Sequence, residues 1–188
     1  VSATQGTDTI TNIENALGGN YNDTLRGTSV ANILTGEAGN DRLGALEGND
    51  SVYGGLGNDT MFGDAGNDLL DGGDGNDTIS AGTGNDIVNG GAGIDLLDLS
   101  TATDAVTVNL YVTTAQTVSA TQGTDTFTSI ENALGGNYND TLRGTSAANT
   151  LTGGAGNDRL GGLEGNDSVY GGLGNDTMFG DAGNDLLD

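Results

Sequence analysis

Residues 54–80 read GGLGNDTMF GDAGNDLLD GGDGNDTIS, three nine-residue units in unbroken succession. In each, Gly, Asn and Asp fill most of positions 1–6, and positions 7–9 carry an apolar residue at their centre. The first group tolerates left-handed backbone and tight turns. The second is a strand of about three residues whose central side chain points to one face and its neighbours to the other. Outward from this stretch, nonamers run from Gly18 to Asp98 and again over 135–188, fifteen in all. Position 8 is apolar in all fifteen, position 6 is Asp in thirteen (Asn32 and Asn149 are the exceptions), and position 4 is Gly in eleven.

A three-residue strand cannot stand alone. Stacking many of them buries a continuous line of Leu, Val, Ile and Met, which is the logic of a solenoid. Two nonamers per coil give two short parallel sheets facing each other across that line, and the absence of Pro leaves both ladders uninterrupted. The expected fold is all-β, an elongated parallel β-roll or β-helix solenoid.

Periodicity here overrules composition. With 36 Gly, 27 acids against four Arg, and a net charge of −23 in 188 residues, composition by itself predicts disorder. It also excludes several functions. Nucleic-acid binding requires many more cationic side chains. Catalysis by His, Cys or Lys has no residue to use, and neither a disulfide framework nor a thiolate zinc site can be built. No apolar run approaches the roughly 18 residues of a membrane helix, and no basic and apolar leader is visible from Val1.

A second repeat encloses the first. Residues 1–71 recur as 118–188 with six differences: Ile10/Phe127, Asn12/Ser129, Val30/Ala147, Ile33/Thr150, Glu37/Gly154 and Ala45/Gly162. The offset is 117 residues, or thirteen nonamers. The chain is expected to divide into a strand-rich lead-in coil (1–17), a first array (18–98), a broader, largely metal-free β-helical connection (99–134) and a second array (135–188). Within the connection, Asp104 lies nine residues after Asp95 and suggests one more coil position. Val106, Val108, Leu110 and Val112 alternate as a longer strand, and another strand is expected around Asp125, Phe127 and Ile130, mirrored by Asp8, Ile10 and Ile13.

With 18 residues per coil, position-6 carboxylates stack at roughly the 4.8 Å strand spacing. One edge carries Asp23, Asp41, Asp59, Asp77 and Asp95, and the other carries Asn32, Asp50, Asp68 and Asp86. Carboxylates about 5 Å apart repel by roughly 1–3 kcal/mol per pair. A merely solvated acidic face is therefore costly, and cations between the turns are expected. Oxygen ligands without His or Cys select Ca²⁺ over transition metals, and Mg²⁺ is disfavoured by its demand for near-ideal octahedral geometry.

The run GGxGNDxLx resembles the calcium-binding nonapeptide of the RTX (repeats-in-toxin) family. The resemblance implies a right-handed β-roll, with Ca²⁺ between successive turns held by position-6 Asp and carbonyls of the Gly-rich turn. It also implies export by a type I secretion system and folding in extracellular calcium. Carried over by position, it gives seven well-formed sites. They are Asp41/Asp59, Asp59/Asp77, Asp77/Asp95, Asp50/Asp68 and Asp68/Asp86, then Asp158/Asp176 and Asp167/Asp185. At the start of each array Tyr21 and Tyr138 replace the position-4 Gly, and GTSVANILT and GTSAANTLT lack both signature residues. Sites involving Asp23, Asn32, Asp140 or Asn149 are expected to be weak or empty, with Asn side-chain hydrogen bonds holding those turns instead.

Glu14, Glu37, Glu47, Glu131 and Glu164 read as solvated charges, since no two stand out as a catalytic pair. The chain is not expected to be an enzyme. A near-identical long unit, recurring as if cut from a longer tandem array, resembles extracellular fibres, adhesin stalks and surface-layer proteins. The expectation is a secreted calcium-binding structural protein, stiffened by Ca²⁺, with self-association or surface and matrix partners. The alternative is a calcium-dependent folding and secretion module of a type I-secreted exoenzyme or toxin.

Overall fold

The computed structural model describes residues 14–188, and the lead-in positions Asp8, Ile10 and Ile13 lie outside them. Among the described residues there are twenty short strands and no helix. The first array contains β1 (Asn15–Gly19), β2 (Thr24–Arg26), β3 (Ile33–Ala38), β4 (Arg42–Gly44), β5 (Ser51–Leu56), β6 (Thr60–Phe62), β7 (Leu69–Asp74), β8 (Thr78–Ser80), β9 (Ile87–Ala92) and β10 (Leu96–Asp98). The connection adds β11 (Thr107–Asn109), β12 (Gln116–Ser119), β13 (Gly123–Thr128) and β14 (Asn132–Leu134). The second array contains β15 (Thr141–Arg143), β16 (Thr150–Ala155), β17 (Arg159–Gly161), β18 (Ser168–Leu173), β19 (Thr177–Phe179) and β20 (Leu186–Leu187).

Successive strands alternate between two sheets, so every coil consumes two nonamers. On one side Leu34, Val52, Leu70 and Val88 pair in parallel register at intervals of 18. On the other, Leu25, Leu43, Met61, Ile79 and Leu97 do the same. These position-8 side chains form the core. Those from Leu34 to Leu97, and from Leu142 to Val169, are at most 1 % exposed, whereas Leu187 at the last coil is 42 % exposed. One inward side chain per strand suffices because each is covered above and below by its neighbours in the stack.

Three sheets result. A nine-stranded sheet, β2-β4-β6-β8-β10-β14-β16-β18-β20, passes through both arrays. Opposite it lie a seven-stranded sheet, β1-β3-β5-β7-β9-β13-β12, and a four-stranded sheet, β11-β15-β17-β19. Only the nine-stranded sheet therefore carries its ladder from the first array into the second, although β13 also extends the seven-stranded sheet beside β9. In the nine-stranded sheet β10 meets β14 with Leu97 beside Ala133. On the other side β11, β12 and β13 form an up-down-up meander. β12 runs antiparallel to β13, and Gln116 links it to β11 by accepting from the Asn109 N–H at 2.8 Å and donating to the Asn109 carbonyl at 3.0 Å. Phe127, Val106, Val108, Leu110, Val118 and Ile130 fill the core of this segment.

Two expectations for the connection are corrected. Asp104 does not occupy a coil position; it accepts hydrogen bonds from the Ser119 and Thr121 hydroxyls. Val106 stands there instead, its N–H donating to Asp140 Oδ1 at 2.9 Å and its carbonyl accepting from Thr141 N–H at 2.8 Å. The register of β11 comes from pairing with β15, with Val108 beside Leu142, and not from counting nine past Asp95. The alternating run also ends sooner than expected. Asn109 accepts from the Tyr111 N–H through its side chain and from the Val112 N–H through its carbonyl, which turns the chain after β11.

The long repeat has a consequence for faces. Thirteen nonamers is an odd number, so strands 117 residues apart fall on opposite sides of the core. Thr24–Arg26 is β2 of the nine-stranded sheet, and its copy Thr141–Arg143 is β15 of the four-stranded sheet. Leu70→Ala, in the middle of the stack, is expected to lower stability by about 2–5 kcal/mol in calcium. Leu187→Ala at the exposed end should cost less than about 0.5 kcal/mol. Denaturant titration of both variants checks the difference.

Candidate metal centre

Position 4 of the regular turns uses left-handed backbone that side chains rarely adopt. Gly57, at position 4, has φ 118°, and a Cβ there would collide with the carbonyl of Gly39 one coil earlier. The turns then stack through two ladders. In one, the position-5 Asn accepts from a backbone N–H one coil later, as Asn40 Oδ1 does from Asn58 N–H at 2.9 Å and Asn58 Oδ1 from Asn76 N–H at 2.8 Å. Sequence reading overlooked this ladder, although Asn occupies position 5 in twelve of fifteen nonamers.

The second ladder runs through the position-6 residues in the opposite sense. Asp59 Oδ1 accepts from Asp41 N–H at 2.7 Å, Asp77 from Asp59 at 2.7 Å and Asp95 from Asp77 at 2.8 Å. On the other edge Asp50 Oδ1 accepts from Asn32 N–H, Asp68 from Asp50, and Asp86 from Asp68. In the second array Asp158 serves Asp140, Asp176 serves Asp158, and Asp185 serves Asp167. Every expected pair is thus brought together, one coil apart.

Each of these carboxylates has a second oxygen. Oδ2 of Asp41, Asp50, Asp59, Asp68, Asp77, Asp86, Asp95, Asp158 and Asp167 is buried and has no hydrogen-bond partner. At Gly54 a Cβ would collide with both Asp59 Oδ2 and the carbonyl of Gly72, so two acceptors converge beside a glycine with no donor between them. Burial dominates the electrostatics. It pushes Asp59 and Asp95 up to about 6 and Asp68 and Asp86 up to about 7, against one backbone N–H apiece and with help from neighbouring carboxylates. Asp50, Asp77, Asp158 and Asp167 are raised for the same first reason. A buried acceptor without a donor costs about 1–3 kcal/mol, and more when charged. Such oxygens require a proton or a cation.

The irregular turns differ. Asp23 Oδ2 accepts from Gly19 N–H and Asp140 Oδ2 from Gly136 N–H, both at 2.7 Å. Asn32 accepts from Thr28 N–H at 2.6 Å and donates its amide to the Glu14 carbonyl at 2.8 Å. Asn149 repeats this with Thr145 and, at 2.6 Å, the Glu131 carbonyl. Here an amide or a backbone donor does the work a cation would do elsewhere. Asp176 and Asp185 lie near the C-terminal end, where the coil is partly open.

Two ladder members escaped the sequence reading. Asp125, whose carboxyl burial pushes up to about 6, accepts from Asp86 N–H at 2.9 Å. Glu131 Oε2 accepts from Asp95 N–H at 2.9 Å, replacing an Asp. Glu131 was findable, being 18 residues before Asn149 and 36 after Asp95; Asp125 follows Asp86 by 39, which is no multiple of nine. Among the described residues no three acidic side chains converge on one point. An ion must therefore draw on a carboxylate pair completed by turn carbonyls, an all-oxygen set that suits Ca²⁺.

The RTX calcium-binding nonapeptide repeat (4 copies) matches residues 17–50, 45–70, 62–97, 134–169 and 162–187. The chain belongs to the RTX calcium-binding repeat family. Its nonamers bind calcium, and the acceptor-only turns fit that ion. Comparison with curated proteins gives no match.

Calcium removal and acid should oppose each other. Because the folded-state values of these Asp lie above 3.8, protonation favours the metal-free fold, fully below pH about 4. That stability is lost as pH rises through about 6–7 for Asp59, Asp68, Asp86 and Asp95. Far-UV circular dichroism in chelator is expected to show β-structure growing from pH 8 to 5, while calcium affinity falls. Asn149→Ala should destabilise the loaded chain by about 1–3 kcal/mol, leaving the Glu131 carbonyl unpaired, without changing the number of ions bound.

Proposed function

We propose that the chain is a secreted structural repeat protein of the cell surface or extracellular matrix, unfolded where calcium is scarce and folded into a stiff β-roll where calcium is plentiful. One observation carries this reading: the nine-stranded sheet runs without interruption from the first copy of the long repeat into the second. Units joined in this way transmit force through backbone ladders and need no flexible linker. Extracellular modules bind at about 10⁻⁴–10⁻³ M, which suits a switch between the cell interior and the outside. At about ten times Kd each site adds roughly 1.4 kcal/mol, and ladder-coupled sites make folding steep in calcium.

We assign the ions to the seven pairs read from the sequence, together with Asp86/Asp125 and Asp95/Glu131. Each of the nine unpartnered Oδ2 atoms then has one site. The two added sites bind the connection to the first array, on the meander edge and on the continuous sheet. A calcium titration followed by circular dichroism and metal analysis is expected to give a cooperative transition with about nine ions, as many as the unpartnered oxygens, and little response to Mg²⁺. Glu131→Ala should remove one ion. Electron microscopy of the loaded chain should then show rods that associate into longer assemblies. A chain β-structured in chelator at pH 8, or one that stays monodisperse at high concentration in calcium, would count against the switch or the structural role respectively.

A further inference from the structure

All four cationic side chains of this chain stand at two equivalent places. Arg26 and Arg42 lie on β2 and β4, and their copies Arg143 and Arg159 lie on β15 and β17. In register across the outer surface run Arg26, Gly44 and Phe62, and in the second copy Arg143, Gly161 and Phe179. Arg42 rests over the Phe62 ring at 4.5 Å and Arg159 over Phe179 at 4.7 Å. The ring thereby presets one guanidinium, and the second stands across a gap of two strand spacings, about 10 Å. None of the four is in an ion pair among the described residues, in a chain with 27 acids.

The glycine between them is not demanded by the backbone. Elsewhere position 9 carries Thr35, Tyr53, Asp71 or Asn89. Among the described glycines only Gly44 and Gly161 have no atom within 4 Å of where a Cβ would sit, and neither has a positive φ. A strand glycine that neither packing nor conformation requires marks a close approach by something else. The first notch forms a cleft of about 240 Å³ that extends to Leu46 and Asp64. In the second copy a cleft of about 580 Å³ is lined by Arg143, Leu163 and Asp181, the equivalents of Arg26, Leu46 and Asp64, and by Tyr111 from the turn after β11, while Gly161, Arg159 and Phe179 lie beside it and not in its lining.

We propose that each notch binds one acidic sugar of a sparsely charged polysaccharide. Paired guanidiniums match a carboxylate or sulfate. The flat glycine floor beside an aromatic ring accepts the apolar face of a pyranose, and Asp64 or Asp181 accepts from its hydroxyls. A dense polyanion is opposed by the net charge of −23, so a saccharide charged at alternate sugars fits better. The two notches lie on sheets that face each other across the core. One chain therefore holds two polysaccharide strands, one on each side.

The test is calorimetry of the calcium-loaded chain with a tetrasaccharide alternating glucuronate and N-acetylglucosamine, at fixed calcium. Two sites per chain are expected. Gly44→Val should remove one and Gly44→Val with Gly161→Val both, while the calcium-dependent circular dichroism transition is retained, because the space is open and Val favours strands. Arg26→Gln with Arg143→Gln should weaken binding by about tenfold or more, the loss of a charged hydrogen bond. Absence of binding at millimolar saccharide, or binding indifferent to these variants, overturns the proposal. Equal binding of neutral chitotetraose removes the acidic requirement and overturns it too. Equal binding of oligo-aspartate reassigns the notch to an acidic polypeptide.

Discussion

A buried carboxylate with one satisfied oxygen governs this molecule. Oδ1 of each position-6 Asp closes the ladder to the coil before it, and that bond pulls Oδ2 into a turn where only acceptors surround it. The geometry that stacks the coils is the geometry that strands the charge. Without a cation, neighbouring carboxylates must share their repulsion or take up protons, and burial raises their proton affinity toward neutrality. The nonamers bind calcium, and a divalent ion between two such oxygens would meet both problems at once. The thin core, a single apolar side chain per strand, leaves little stability to hold the fold without it.

The exceptions confirm the physics. Where a turn begins with Tyr21 or Val30 in place of the position-4 Gly, the position-6 group finds its own donor. Asn32 and Asn149 go further, because an amide supplies a hydrogen toward the next carbonyl where a carboxylate cannot. The connection uses another device, a meander in which Gln116 ties β12 to β11, a backbone ladder joins β12 to β13, and Asp125 and Glu131 extend the carboxylate ladders.

Repetition by an odd number of nonamers sets the outer surface. Two nearly identical copies display the same side chains on opposite sides of one core. Outward features of a unit, including its arginines and aromatic rings, are therefore presented in alternation along the stack. An even count would have gathered them on a single face. The alternation is preserved because the continuous sheet crosses the connection by 36 residues, an even number of nonamers, from Leu97 to Ala133, and it decides what each side of the protein can meet.

Much of this was legible in the residues. The nine-residue period, the apolar position 8 and the position-6 Asp together dictate a parallel solenoid, its core line and its columns of carboxylates, because strand alternation and like-charge repulsion act locally and repeat. The hydrogen bonds by which Asn32 and Asn149 hold their turns were readable from side-chain chemistry alone. The connection was not. There the offsets between paired strands are 34, 36 and 39, as Val108 beside Leu142, Leu97 beside Ala133 and Val88 beside Phe127 show. Asp104, placed by counting, bonds to Ser119 and Thr121, and Val106 takes the coil position. The chain by itself determined the repeat and its chemistry. Tertiary structure decided the register between arrays and which oxygens were left without a donor, because both depend on what packs beside a strand and not on its distance along the chain.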